Sequence, residues 1–309
     1  MVIDAEEEFD WQQPIRGVPA TVQKMDLSDL HAILSAYGAV PTFLVTYPVL
    51  QDDSAVAALR ARRDRGDCRL GVQLHTWVNP PFEETADRRN SFATNLPPDL
   101  EERKLHELIV LFQRRMGESP VIFKAGRYGM SPATPRLLER YGFLVDTSLA
   151  PRTSYLSQGG PDLTHYEYGP FWFGSERPLL ELPLCRSIVG WGGGGGARLQ
   201  QRAPLPFSAP IRSVLSGLRC AERITLSPEG NDCKAMIRLT RSLLKRGQNV
   251  LVLSFHSSSL SIGRNPYVRS RGDVHMFYDR LSAALHAIAT RLGIGFLDTL
   301  QLWQTLRAG

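Results

Sequence analysis

The sequence predicts an α/β fold, a closed or nearly closed (β/α) barrel of about seven parallel strands, and three observations predict it. Strand-like and helix-like segments alternate along almost the whole chain, as repeated βαβ units do. The strand-like runs are short and apolar, as strands covered on both faces are. The length, 309 residues, is enough for seven or eight such units and lies at the upper end for one domain. Active sites in such folds lie at the C-terminal ends of the strands, which directs the search for chemistry.

The elements follow in order. "MVI" reads as a short first strand with Asp4 just past it. "DLSDLHAILSAYG" (26–38) has Leu27, Leu30, Ile33, Leu34 and Tyr37 at helical spacing, with Gly38 as its stop. "PTFLVTY" (41–47) reads as a buried strand, "DDSAVAALRARRDRG" (52–66) as a helix and "RLGVQLHTW" (69–77) as an internal strand. After a proline-rich loop, "PDLEERKLHELIVLFQRRMG" (98–117) is a long amphipathic helix. "PVIFKAG" (120–126), "SPATPRLLERYG" (131–142) and "FLVDTSL" (143–149) read as strand, helix and strand. The stretch 151–210 is irregular, an insertion within one catalytic domain spanning 1–309, with "PFWFG" and "LLELPL" as short strands. "SPEGNDCKAMIRLTRSLLKRG" (227–247) returns to helix and "NVLVLSFHS" (249–257) to strand. "DVHMFYDRLSAALHAIATRLG" (273–293) is the last long helix, and "IGFLDTL" (294–300) a closing strand.

Composition excludes several classes. The chain is 43% hydrophobic and 22% charged with a net charge of +5, ordinary for a soluble globular protein. "RARRDRGDCR" (60–69) is broken by Asp and reads as the solvated end of a helix, so no nucleic-acid partner is expected. Cys68, Cys185, Cys220 and Cys233 form no C-x-x-C pair, which favours a reducing compartment. The N-terminus is acidic where a signal peptide needs a basic start. "AVPTFLVTYPVL" (39–50) is too short to span a bilayer, so the expected location is cytoplasmic. Gly192–Gly196 lacks a following G-K-[ST] and reads as a loop rather than a phosphate cradle.

The residues at the strand ends are more informative. Asp4 and Glu6 follow the first strand, and period-two geometry puts them on one side with Glu7 on the other. Gln73, His75 and Trp77 end the 69–77 strand. Lys124, Arg127 and Tyr128 follow "PVIF", Asp146 and Ser148 end "FLVDTSL", and His256 leads three serines. Carboxylates, two histidines, a cation and aromatics gathered in one pocket are the parts of a hydrolytic site. His75 and His256 stand against a plainer reading as hydrogen-bonded core histidines. The helix-borne His31, His106, His275 and His286 read as surface or packing residues.

Four blocks in register resemble one family: "EEEFDW" (6–11), "QLHTWVNPP" (73–81), "KAGRYG" (124–129) and "SFHSSSLSIGRNPYV" (254–268), joined by "GFLVDTSL" and "ITLSPEG". In these the chain resembles the polysaccharide deacetylase (NodB homology) superfamily. The resemblance implies a distorted (β/α) barrel and metal-assisted removal of an N- or O-acetyl group from a poly- or oligosaccharide. It implies Asp4 as general base, His256 as general acid on the opposite lip, and Glu6 and His75 as ligands of one divalent metal, zinc being the expected ion. It further implies Arg127 and Tyr128 at the oxyanion, Asp146 in the fourth motif, and Trp77, Lys124, Trp11 and Tyr267 toward an acetylated saccharide.

Two departures bear on that reading. The superfamily's second motif commonly supplies two histidines four apart, whereas here His75 is followed by Trp77 and Asn79. One carboxylate and one histidine fall short of the three protein ligands usual for catalytic zinc. Lys124 stands where the branch usually has Arg, which keeps the charge and loses bidentate geometry. Beside the deacetylase stand two other classes, a metal-independent amidohydrolase acting on a cyclic amide and an inactive barrel that binds glycan.

Overall fold

In the computed structural model, which describes residues 1–8, 21–23, 25–190, 222–263 and 265–308, the strands are β1 Val2–Ala5, β2 Thr42–Val45, β3 Arg69–Leu74, β4 Ile122–Ala125, β5 Val145–Asp146, β6 Phe171–Phe173, β7 Leu179–Glu181, β8 Arg186–Val189, β9 Glu222–Thr225 and β10 Ser254–His256. The helices are α1 Ser28–Ser35, α2 Tyr47–Gln51, α3 Asp53–Asp64, α4 Pro98–Met116, α5 Thr134–Arg140, α6 Cys233–Leu244, α7 Arg271–His286 and α8 Thr299–Ala308. Trp11, Gly192–Gly196 and Cys220 lie outside the described residues.

Eight strands form one sheet in the order β10-β1-β2-β3-β4-β5-β7-β6, parallel from β10 to β7, with β6 antiparallel at the edge. The sheet curls into a half-barrel. Lys124 on β4 reaches Asp4 on β1 although two strands lie between them, a separation of about 14 Å were the sheet flat. β8 and β9 form a separate antiparallel pair. The main chain of Leu226, just past β9, then bridges Cys185 (2.7 Å) and Ser254 (3.0 Å), linking the β7 side back to β10.

Burial on both faces explains the apolar strands: Ile3, Phe43, Leu44, Val45, Val72, Ile122 and Phe123 are all buried in one core with the helices. Gly71 is required on β3, because a Cβ there would lie 2.5 Å from the Ile122 carbonyl oxygen. The helices begin and end where the sequence signals them. Asp52 and Asp232 each accept an amide hydrogen bond at 2.7 Å as N-caps of α3 and α6. Ser270 and Asp273 form a capping box on α7, and Gly117 ends α4 at φ +78°.

Three expectations change. "IGFLDTL" forms no strand. The Asp298 carboxylate instead caps α8 by accepting from the amides of Leu300 and Gln301, both at 2.8 Å, while Arg69 holds its other oxygen. "NVLVLSFHS" is a strand only at its last part, Ser254–His256. Asp4 lies inside β1, opposite Leu44 and His256 in the ladders, rather than just past the strand.

Candidate active site

The C-terminal ends of β1, β3, β4 and β10 converge on a buried charged cluster. Asp4, Glu6 and His256 each offer a ligand atom within 4.8 Å of the others. His256 Nε2 lies 3.7 Å from Asp4 Oδ2 and 3.8 Å from Glu6 Oε1. On the other side of Glu6, His75 Nε2 lies 3.5 Å from Oε2. Glu6 is therefore the shared centre of two histidines. His256 stands beside Asp4, because β10 pairs directly with β1, and not on an opposite lip.

Each histidine is held from behind by a carboxylate. Glu7 turns to His75 and meets Nδ1 at 2.8 Å, while Gln73 Nε2 stands 2.9 Å from Nε2. Glu229, beyond β9, accepts from His256 Nδ1 at 2.9 Å and from the His256 amide at 2.9 Å. Ser259 Oγ donates to the same carboxylate at 2.5 Å and is itself met by Asn265 Nδ2 at 2.7 Å. Carboxylate backing fixes the ring orientation and leaves each Nε2 aimed at Glu6. Gly126 makes room: a Cβ there would lie 2.5 Å from His75 Cδ2.

Lys124, paired in the ladder with Gln73, crosses the barrel interior and donates to Asp4 Oδ2 at 2.5 Å. Burial alone would lower the Lys124 ammonium, but Asp4 outweighs it and holds the group well above its ordinary range. Burial likewise disfavours charge on His256, yet the carboxylates, Glu229 foremost, push it up to about 10. His75 is raised against burial by Glu7, and Glu7 is lowered against burial by His75. Glu6 is raised to about 7 by burial, against the pull of His256 and His75.

The remaining expected residues lie around this cluster or behind it. The Arg127 guanidinium lies 4.1 Å over the Phe92 ring and donates to Ser91 Oγ and, at 2.6 Å, to Gln158 Oε1, clamping two loops. Arg127 and Tyr128 both have left-handed backbone, φ +55° and +58°, a conformation that costs a non-glycine residue energy and gathers at functional turns. The Tyr128 ring lies below the Lys124 ammonium, 5.0 Å away, and stacks on Tyr155. Trp77 stacks on His75 at 4.2 Å between ring centroids. Tyr267 is 44% exposed, with its ring beside Gly230 next to Glu229. Asp146 is fully buried, accepts from Ser148 Oγ and sits opposite Glu181 in the β5–β7 ladder.

Sequence reasoning did not single out Glu7, Glu229, Glu181 or Lys104. Glu229 sits in "ITLSPEG", four residues past β9, and its place inside a block that carried the family resemblance was the available signal. Lys104 had none, since it occupies one turn of an amphipathic helix. Its ammonium is fully buried and donates to the carbonyls of Thr76 (2.9 Å), Asn79 (2.7 Å) and Pro81 (2.7 Å), with Glu84 at 2.8 Å. It thereby holds the loop that carries Trp77.

The donor set fits a divalent ion. Ligand atoms around a tetrahedral ion at 2.0–2.1 Å stand about 3.4 Å apart, close to the 3.5–3.8 Å spacings around Glu6. Asp4 Oδ1, Glu7 Oε2 and Gln73 Oε1 are buried without a hydrogen-bond partner among the described residues. The ring nitrogen of each histidine that faces away from Glu6 is already matched to a carboxylate.

No protein-family model matches the sequence, and no curated protein matches it. Solved structures do share its fold. A protein from Mycobacterium smegmatis assigned as a polysaccharide deacetylase is 20% identical, with a TM-score of 0.50 over 91% of this chain and 77% of that one. One from Pseudomonas aeruginosa PAO1, assigned likewise, is 13% identical with a TM-score of 0.52 over 99% of this chain and 89% of that one. The chain shares its fold with both of these proteins. PuuE allantoinase shares it at 14% identity, with a TM-score of 0.52 and coverage of 99% and 89%, so the architecture serves more than one reaction. Among the described residues no helix is long and apolar enough to cross a membrane.

Proposed function

We propose that this chain is a hydrolase that removes acetyl groups from a poly- or oligosaccharide, with Asp4 as general base and His256 as general acid. The observation that supports it most is the buried Asp4–Glu6–His256 cluster at adjoining strand ends, flanked by His75. Glu6 and His75 would hold one divalent ion, zinc being the first candidate, with Asp4 and His256 within reach of it. Such an ion lowers the pKa of bound water and polarises an acyl carbonyl.

The protein groups then divide the work. Lys124 holds Asp4 by Oδ2 and aims it, so that Oδ1 is left to take the proton of the attacking water. His256, charged and steadied by Glu229, donates from Nε2 to the leaving nitrogen or oxygen. The Tyr128 backbone N–H on its left-handed turn and the Lys124 ammonium supply positive potential for the tetrahedral oxyanion. Trp77 and Tyr267 present aromatic faces to the sugar.

Two observations favour a second reading, hydrolysis of a cyclic amide without metal: the ammonium of Lys124 already pairs with Asp4, and an allantoinase has the same fold. The two separate in one experiment. The purified protein is stripped with chelator, and acetate release from an acetylated oligosaccharide is followed before and after zinc is restored, beside turnover of a cyclic amide. Zinc-dependent acetate release is expected. Chelator-resistant opening of the cyclic amide with no acetate release would replace the first reading by the second.

A further inference from the structure

The wall beside the proposed reaction centre carries positive charge that no carboxylate among the described residues pairs with. Arg186, at the start of β8, is half-buried and donates through Nε to Thr225 Oγ1 at 2.9 Å. Its guanidinium lies against the Tyr155 hydroxyl, and it also acts on Tyr267. Tyr155 stacks on Tyr128 with ring centroids 5.9 Å apart and planes 18° from parallel, and Tyr128 carries the Lys124 ammonium over its face. On the far side of Tyr155 the Phe92 ring supports Arg127, whose hydrogen-bond partners Ser91 and Gln158 are both neutral. Neither Arg127 nor Arg186 forms an ion pair among the described residues, in contrast to Arg63, Arg103 and Arg238 elsewhere.

A half-buried guanidinium with no counter-charge carries a desolvation cost that an incoming anion would offset. Guanidinium donors match the two oxygens of a carboxylate or phosphate. Stacked tyrosines beside them offer a flat apolar face of the kind a pyranose ring covers. We propose that Arg186, seconded by Arg127, forms with Tyr128 and Tyr155 a subsite for an anionic sugar next to the bond that is cleaved. The substrate is then an acidic glycan, with a carboxylate or phosphate on a ring adjoining the acetylated one. The assignment rests on the hydrolase reading above for the identity of the neighbouring centre.

The test uses the full chain and three matched probes: an acetylated oligosaccharide alternating an N-acetyl sugar with a uronic acid, the same oligosaccharide after reduction of its carboxyls to alcohols, and a phosphorylated counterpart. Calorimetry gives the affinity of each, and acetate release gives kcat/KM. One charge-assisted guanidinium contact corresponds to a preference of about 10- to 100-fold for an anionic probe over the reduced one. Arg186→Gln should collapse that ratio, and Arg186→Lys should restore part of it. The better of the uronate and phosphate probes identifies the anion. Equal affinity of the wild type for the charged and reduced probes overturns the proposal, as does an unchanged ratio in Arg186→Gln. If Arg186→Gln does not fold, the ratio of the wild type and its loss between 0.05 and 0.5 M salt decide instead. Selective binding without acetate release from any probe would retain the subsite and count against the hydrolase.

Discussion

Asp146→Asn tests whether the carboxyl pair under the pocket is catalytic or structural. Asp146 and Glu181 face each other across the β5–β7 ladder, both fully buried. Ser148 donates to Asp146 and the Leu149 amide to Glu181, and among the described residues the outer oxygens Asp146 Oδ2 and Glu181 Oε2 have no other partner. Two such carboxylates cannot both ionise at low cost, so the pair retains a proton. Burial raises Asp146 from 3.8 to about 6, and burial together with Asp146 raises Glu181 well above its ordinary value. The sign follows from linkage. Below about pH 4 folded and unfolded chains both hold the Asp146 proton, and the stability is fully present. As pH rises through about 6 the unfolded chain has released it while the folded one has not, so stability falls. A shift of about two units corresponds to ~3 kcal/mol, lost between about pH 4 and 6. In Asp146→Asn the amide donates permanently to Glu181, and this loss should disappear. Urea unfolding of both proteins at pH 4, 5, 6 and 7 reads the difference, in which contributions from other carboxylates cancel. Parallel stability curves for the two proteins would refute the shared proton. Acetate release at pH 7 should stay within about tenfold of wild type, since loss of a proton-transfer group costs ~10²–10⁴-fold. A larger fall would place Asp146 in the chemistry.

Three further outcomes follow from the site. Asp4→Asn and His256→Ala should each lower acetate release by ~10²–10⁴-fold, with Glu8→Gln close to wild type in the same assay. Glu229→Gln keeps an acceptor for His256 Nδ1 but removes the charge that contributes most to raising it, so the alkaline limb of the rate profile should move from near pH 10 toward neutrality, read as acetate release from pH 5 to 11. Lys104→Met leaves Glu84 and three loop carbonyls without their buried partner and should cost ~3–5 kcal/mol in denaturant unfolding.

The fold was legible where side chains obey a period. β2, β3 and β4 and the helices α1, α3, α4 and α6 all fall within the segments read from apolar spacing and stop residues, while β1 runs two residues past "MVI" and α7 begins two residues before its segment. It was misread where one polar side chain overrides the pattern: Asp298 turns an apolar strand-like run into the lead of a helix by capping α8. That Asp4, Glu6, His75, Lys124 and His256 gather in one cluster was legible because parallel strands deliver their ends to one rim. The residues behind them were not. Glu7 was expected to point away because period-two geometry was carried past the end of β1, where the chain leaves the sheet and turns the carboxylate onto His75. Glu229 reaches His256 across 27 positions of sequence, and no local pattern encodes that contact.

The same pocket explains why its charges are sustainable in a buried place. Four carboxylates, Asp4, Glu6, Glu7 and Glu229, meet Lys124 and two imidazoles, His75 and His256. With both imidazoles protonated the cations number three, one short of the carboxylates, and Glu6, raised to about 7, is the group nearest to taking the balancing proton. Glu6 is also the one carboxylate that both histidines face. A divalent ion held there by Glu6 and His75 would replace protons on Glu6 and on His75 Nε2 rather than add charge to a neutral cavity, because ligands bind metal in their deprotonated forms. Lys124 holds Asp4 Oδ2, the oxygen 3.7 Å from His256 Nε2, and Oδ1 has no hydrogen-bond partner among the described residues. On the proposed reading, cation, proton and metal requirements are thus separated in space: Lys124 would orient the base, Glu229 would charge the acid, and Glu6 between the two histidines is where charge would be exchanged.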